Sequence, residues 1–171
     1  MPQINKTDSS MPSVYSDLPF GEQLVLWGLR MWAKAFNEDT NISGVLREGF
    51  RLAGVQNAFG FLDSIMYVFA TAGRGTMDIR CPGCSKISID EHRILGAVAS
   101  YQSVDTLAVS DPYLSLWLPT TALRIVREPT MQLASILKKG GLILRPRPWA
   151  LNVKRDNFRT RVTSVDNHTV H

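Results

Sequence analysis

Cys81 and Cys84 are the only cysteines in the chain, and they bracket Pro82 and Gly83 in a Cys-Pro-Gly-Cys element. A tight turn of this kind lets two thiolates reach one tetrahedral zinc ion at about 2.3 Å. A closed zinc site needs four ligands, and the chain's histidines are His92, His168 and His171. A site within one chain would combine Cys81 and Cys84 with His92 and either a tail histidine or a carboxylate. Alternatively, two protomers would each give both cysteines to a shared ion. A redox dithiol is a second reading, activated when its first cysteine sits at a helix N-terminus. Here Ser88 marks the helix start four residues past Cys84, so that activation is largely absent. In the third reading Pro-Gly makes a turn and two small thiols pack as hydrophobes.

The other residues with chemical potential are scattered. His92 falls at the fourth position of the helix that Ser88 opens, where a neutral boundary role is expected before a ligand role. Asp63 lies within the most apolar segment, and the polar stripe it shares with Gln56 and Thr71 places it toward water. Trp149, flanked by Arg145, Arg147, Lys154 and Arg155, is the expected partner anchor, because Trp and Arg concentrate at binding hot spots. No phosphate loop, nucleophile elbow, His-Glu-x-x-His or paired-carboxylate motif occurs, and Gly73-Arg74-Gly75 precedes a strand pattern instead of opening a helix. A helix-turn-helix over residues 42–72 would offer Phe59, Phe61 and Leu62 to base edges, which argues against DNA reading.

These residues sit in a chain of 171, of which 44% are hydrophobic and 20% charged, enough for one ordinary core. Residues 145–171 hold six basic and two acidic residues, which is the whole of the formal net charge of +4. A neutral domain with a basic arm is therefore expected, and any attraction to nucleic acid would come from the arm. No apolar run approaches the roughly 20 residues that span a bilayer. The first residues lack a basic region followed by an apolar one, so a cytoplasmic protein is expected.

Hydrophobic periodicity predicts a helix over 20–36, with Leu24, Trp27 and Met31 in one row and Val25, Leu29 and Trp32 in the next. Glu22, Gln23, Arg30 and Lys34 fill the remaining strip. A second helix around 45–53 stops at Gly54, and a third over 56–72 is apolar enough to be the central one. Residues 77–80 alternate as a half-buried strand, with 142–145 as the partner. Ser88-Ile89-Asp90-Glu91 is a capping box that opens a helix to about Gln102. Asp111-Pro112 starts a short helix, Pro119 and Pro129 interrupt the stretch after it, and Lys138-Lys139-Gly140-Gly141 ends it.

Pro82-Gly83-Cys84, Ser88, Asp90-Glu91, Leu95 and Gln102, preceded by the Glu22-to-Arg30 helix, resemble a group of small proteobacterial helical proteins of unknown function. The resemblance covers roughly residues 18–144 and implies a bacterial cytoplasmic protein without implying an activity. The shared pattern requires only Cys84.

The expected fold is mainly α, an irregular or orthogonal helical bundle with a minimal two-stranded β element. Residues 1–17 form a disordered N-terminal arm, 18–145 the helical domain, and 146–171 a basic, largely disordered tail. The expected function is a non-catalytic interaction or regulatory module acting through its helical surface and basic arm. It would meet a protein partner, with nucleic acid as a target of the tail, no membrane, and an oligomer allowed. No cofactor is required. One alternative is a metal-stabilised, nucleic-acid-associated regulator whose Cys81, Cys84 and His92 hold zinc, and another is a thiol-dependent enzyme or redox sensor.

Overall fold

The computed structural model describes residues 14–103 and 110–153. Its elements are α1 (Phe20–Asn37), α2 (Ser43–Leu52), α3 (Ala58–Ala72), α4 (Ile89–Gln102), α5 (Ser110–Leu114) and α6 (Thr120–Lys139), with 3-10 turns at Tyr15–Asp17 and Pro148–Leu151. The mainly helical bundle is as expected from the periodicity. Among the described residues no helix is long and apolar enough to cross a membrane.

The helix boundaries follow local chemistry. Gly54 adopts φ 76°, a left-handed conformation that glycine tolerates, and it ends α2 as the sequence indicates. At α4 the Ser88 Oγ accepts the Glu91 amide at 3.0 Å, while Glu91 Oε2 accepts the Ser88 amide at 2.9 Å, completing the capping box. α6 runs unbroken through Pro129, contrary to the expected interruption. Pro129 can give no hydrogen bond to the Ile125 carbonyl, but Ile125 is exposed and water can answer that group.

The centre of the bundle is α4, where the sequence pointed to α3. Asp90 through Ser100 are all buried, because α4 packs against α1, α5, α6 and the Pro148–Leu151 turn. α3 lies against α6 and α1 and keeps Asp63, Ser64 and Tyr67 exposed. Close approach depends on glycine at Gly96, where a Cβ would stand 2.6 Å from the Tyr113 ring.

The expected two-stranded element over 77–80 and 142–145 is absent, and among the described residues Val14 and Lys86 form an isolated antiparallel bridge. Helix side chains answer the amides instead. The Asp78 amide donates to Asp90 Oδ2 at 2.9 Å and the Arg80 amide to Glu91 Oε1 at 3.0 Å. In the other segment the Leu144 amide donates to Gln102 Oε1 at 2.7 Å and the Arg145 amide to Glu22 Oε1 at 2.8 Å. Buried amides must find acceptors, and acidic or amide side chains of α1 and α4 supply what a neighbouring strand would have supplied.

The expected domain limits also shift within the described residues. Tyr15 donates its amide to the Ser85 carbonyl at 2.7 Å, so residues 14–17 pack on the cysteine loop and are not a free arm. At the other end Arg147 and Ala150 are buried, which places 146–153 in the folded unit. The packing of Ala150 under α4, with the Arg147–Glu22 ion pair, outweighs the polar composition that had suggested a tail. The rest of both segments lies outside the described residues.

Candidate functional site

Three places hold the residues that the sequence singled out. The first is a buried polar network around the N-terminal turn of α4, where Asp90, Glu91, His92 and Arg93 are consecutive and each at most 4% exposed. Four such residues on successive helix positions point in all directions, so each needs a partner from a different element.

Glu91 faces α1, where Arg30 meets it through Nε to Oε1 at 2.7 Å and Nη2 to Oε2 at 3.0 Å. Arg30 also donates to the carbonyls of Cys84 at 2.6 Å and Lys86 at 2.9 Å, and its guanidinium lies 5.2 Å from the centre of the Tyr15 ring. Asp90 accepts from Arg93 Nη1 at 3.3 Å as well as from the Asp78 amide. Arg93 reaches the carbonyls of Ala150 at 3.0 Å and Val153 at 2.7 Å, holding the C-terminal 3-10 turn. The Ser88 hydroxyl donates to the Asp78 carbonyl, fastening the segment before the cysteine loop.

His92 faces the same C-terminal segment. Its Nδ1 accepts from Arg147 Nε at 3.2 Å, which requires a lone pair on that nitrogen, and its ring meets Trp149 edge-on with centroids 4.9 Å apart. Arg147 continues to Glu22, giving Nη1 to Oε1 at 3.1 Å and Nη2 to Oε2 at 2.6 Å. Arg145 adds Nη2 to Oε2 at 2.8 Å from the solvent side. Burial alone would raise the Glu22 pKa, but the hydrogen bonds from Arg145 and Arg147 outweigh it and bring the value to about 2. The same contact raises Arg145 above its usual value.

The network reassigns the expected partner-binding set. Arg147 is buried, Arg145 pairs with Glu22 from the exposed side, and Trp149 is half-buried against His92. Lys154 and Arg155 lie outside the described residues. Glu22 and Arg30, which the periodicity placed on a water-facing strip of α1, are both buried. Their burial is set by partners far along the chain, Arg147 and Glu91, which no local spacing announces.

The second place is the cysteine loop. Cys81 and Cys84 are joined as a disulfide with Cα atoms 5.2 Å apart, within the span that a bridge can cross. The two packed thiols of the turn reading are therefore replaced by a bond, because the Cys84 amide donating to the Cys81 carbonyl at 3.0 Å folds the loop back on itself. Among the described residues no group of three or more His, Cys, Asp or Glu is placed to hold a metal ion. The structure thus does not bring Cys81, Cys84 and His92 together as ligands. His168 and His171 lie outside the described residues.

The third place carries no charge chemistry. A groove of about 310 Å³ opens between the C-terminal halves of α1 and α3 and the segment after α3. Trp32 and Phe36 stack with centroids 5.0 Å apart and ring planes 12° from parallel, and Phe69 meets Trp117 edge-on at 6.1 Å. Met66 and Met77 complete the apolar lining. Asp63, exposed as its polar stripe indicated, accepts the Trp32 indole N–H at 2.7 Å and orients an aromatic wall. Met77 and Trp117 were visible as apolar residues, but nothing in their spacing announces that they share a groove with Trp32.

No family model matches this chain, and no curated protein or solved structure matches it either.

Proposed function

We propose that the protein is a non-catalytic binding module whose aromatic groove takes an apolar or aromatic segment of a partner protein. The observation that carries this reading is a division of labour. The buried acids, arginines and His92 face one another and the backbone, whereas Trp32, Phe36 and Met77 line an open cleft. A site for acid–base or nucleophilic work needs a titratable group turned toward bound substrate, and the groove walls offer rings, thioethers and the uncharged Asn37 and Thr76. Methionine and stacked aromatics suit adaptable recognition of apolar side chains. Of the basic arm, Arg145 and Arg147 pair with the single Glu22, and its other four basic residues lie outside the described residues.

Titration with short peptides bearing Leu, Phe or Trp anchors tests the reading, followed by tryptophan emission. Saturable shifts are expected from the intact protein and not from Phe36→Glu. Phe36 is 52% exposed, so its replacement leaves the core untouched. Peptide binding that Phe36→Glu leaves unchanged would place the binding surface elsewhere.

A further inference from the structure

We propose that the Cys81–Cys84 loop is a site of reversible thiol–disulfide exchange with a dithiol reductant, Cys81 being the sulfur attacked. The proposal rests on residues apart from those that define the groove and stands or falls separately from it.

The first observation is what the bond does not do. It joins residues three apart in sequence and closes a loop so short that it restrains little of the chain and ties no distant elements. The second is access: Cys81 is exposed, Cys84 is partly exposed, and a Cβ built on Gly83 would meet nothing within 4 Å. The loop tip therefore stands in solvent, within reach of an incoming thiolate.

The third observation is a clamp that does not depend on the disulfide. The Arg80 amide, one residue before Cys81, donates to Glu91 Oε1 at 3.0 Å. On the other limb Arg30 donates to the Cys84 carbonyl at 2.6 Å and the Lys86 carbonyl at 2.9 Å. Since Arg30 and Glu91 are themselves a fully buried pair, one ion pair holds both limbs of the loop. Breaking the S–S bond leaves this clamp in place, so the two thiols stay adjacent and re-form the bond as an intramolecular reaction at high effective concentration. α4 begins at Ile89, beyond the loop, so its N-terminus does not select the reactive sulfur and exposure does.

In the forward step a thiolate of the reductant attacks Cys81 Sγ, and the Cys81–Cys84 bond breaks. Cys84 leaves with the electron pair and takes a proton from water. The reductant's second thiol loses its proton and attacks the reductant sulfur of the mixed disulfide. That closes the reductant's own disulfide and releases Cys81, which is protonated in turn. Two electrons and two protons pass from the dithiol to the protein.

The test equilibrates the full-length protein in graded mixtures of reduced and oxidised dithiothreitol, quenches with acid, alkylates, and weighs the products. The expected result is one reversible transition in which both thiols appear together, with helical circular dichroism unchanged throughout. Reduction that requires denaturant or melts the helices would overturn the proposal and make the bond a structural staple. Thiols that fail to re-form the intramolecular bond in oxidised buffer would overturn it as well. Assignment of the attacked sulfur uses the intact protein opened by the monothiol glutathione, quenched with acid, with the remaining thiol alkylated and the glutathione adduct placed by peptide mapping. The adduct on Cys81 should exceed that on Cys84 about tenfold, and equal or reversed yields would refute the assignment.

Discussion

Arg30 and Glu91 lie 61 positions apart and meet through two hydrogen bonds of 2.7 and 3.0 Å, with neither side chain exposed. This pair joins α1, the first turn of α4 and both limbs of the cysteine loop. Removing one partner leaves the other as an uncompensated buried charge, so Arg30→Ala is expected to cost about 3–5 kcal/mol. Urea unfolding at neutral pH measures it. An apolar double replacement should remain less stable than the original pair, because Glu91 also accepts the Arg80 and Ser88 amides and those would be orphaned.

Glu22 sets an acid limit. Its pKa of about 2 in the folded chain lies below the ordinary carboxylate value, so the folded state favours the ionised form. The stability this contributes is complete above the unfolded pKa of about 4.5 and disappears as pH falls from there through about 2. Unfolding curves between pH 6 and pH 2 should show that loss. Glu22→Gln should flatten this part of the profile while lowering stability at neutral pH, since Arg145 and Arg147 lose their charge partner.

Ending the chain after Arg145 removes Arg147, the buried Ala150 and the two carbonyls that hold Arg93. A fall of roughly 10 °C or more in thermal midpoint is expected. Ending it after Val153 retains Arg147, Ala150 and both carbonyls on Arg93 and should cost far less. Calorimetry of the two truncations separates them, and an equal midpoint for both would contradict the packing of residues 146–153.

Ser88→Ala removes both the acceptor for the Glu91 amide and the donor to the Asp78 carbonyl. The capping loss alone is worth about 1 kcal/mol, and the orphaned carbonyl adds to it. Chemical denaturation of the variant is the check.

The helices were legible because their cores repeat every three to four residues and their ends carry local chemistry, as at Gly54 and Ser88. What the sequence concealed was direction. Glu22 and Arg30 read as a wet strip because charge is ordinarily exposed, and only partners far along the chain, Arg147 and Glu91, reverse that. The alternation at Met77-Asp78-Ile79-Arg80 signalled a half-buried segment, which it is, but not the turn that the Ile79 amide makes to the Met77 carbonyl at 3.1 Å in place of a strand. It could not signal that Asp90 and Glu91 would answer its amides in place of a strand. Trp149 read as a partner anchor for want of anything local to pack on, and His92, 57 positions earlier, was its partner.

The central claim is that the buried charges build the fold while the groove at Trp32 and Phe36 meets the partner. Site-specific photo-cross-linking in the native host tests it most directly, with the photoreactive residue at position 36 in one variant and at the exposed position 127 of α6 in another. Discrete protein adducts are expected from position 36, lost when Met77→Glu is added and absent from position 127. Adducts from position 127 with none from position 36, or adducts at 36 that persist in the Met77→Glu protein, would contradict the account.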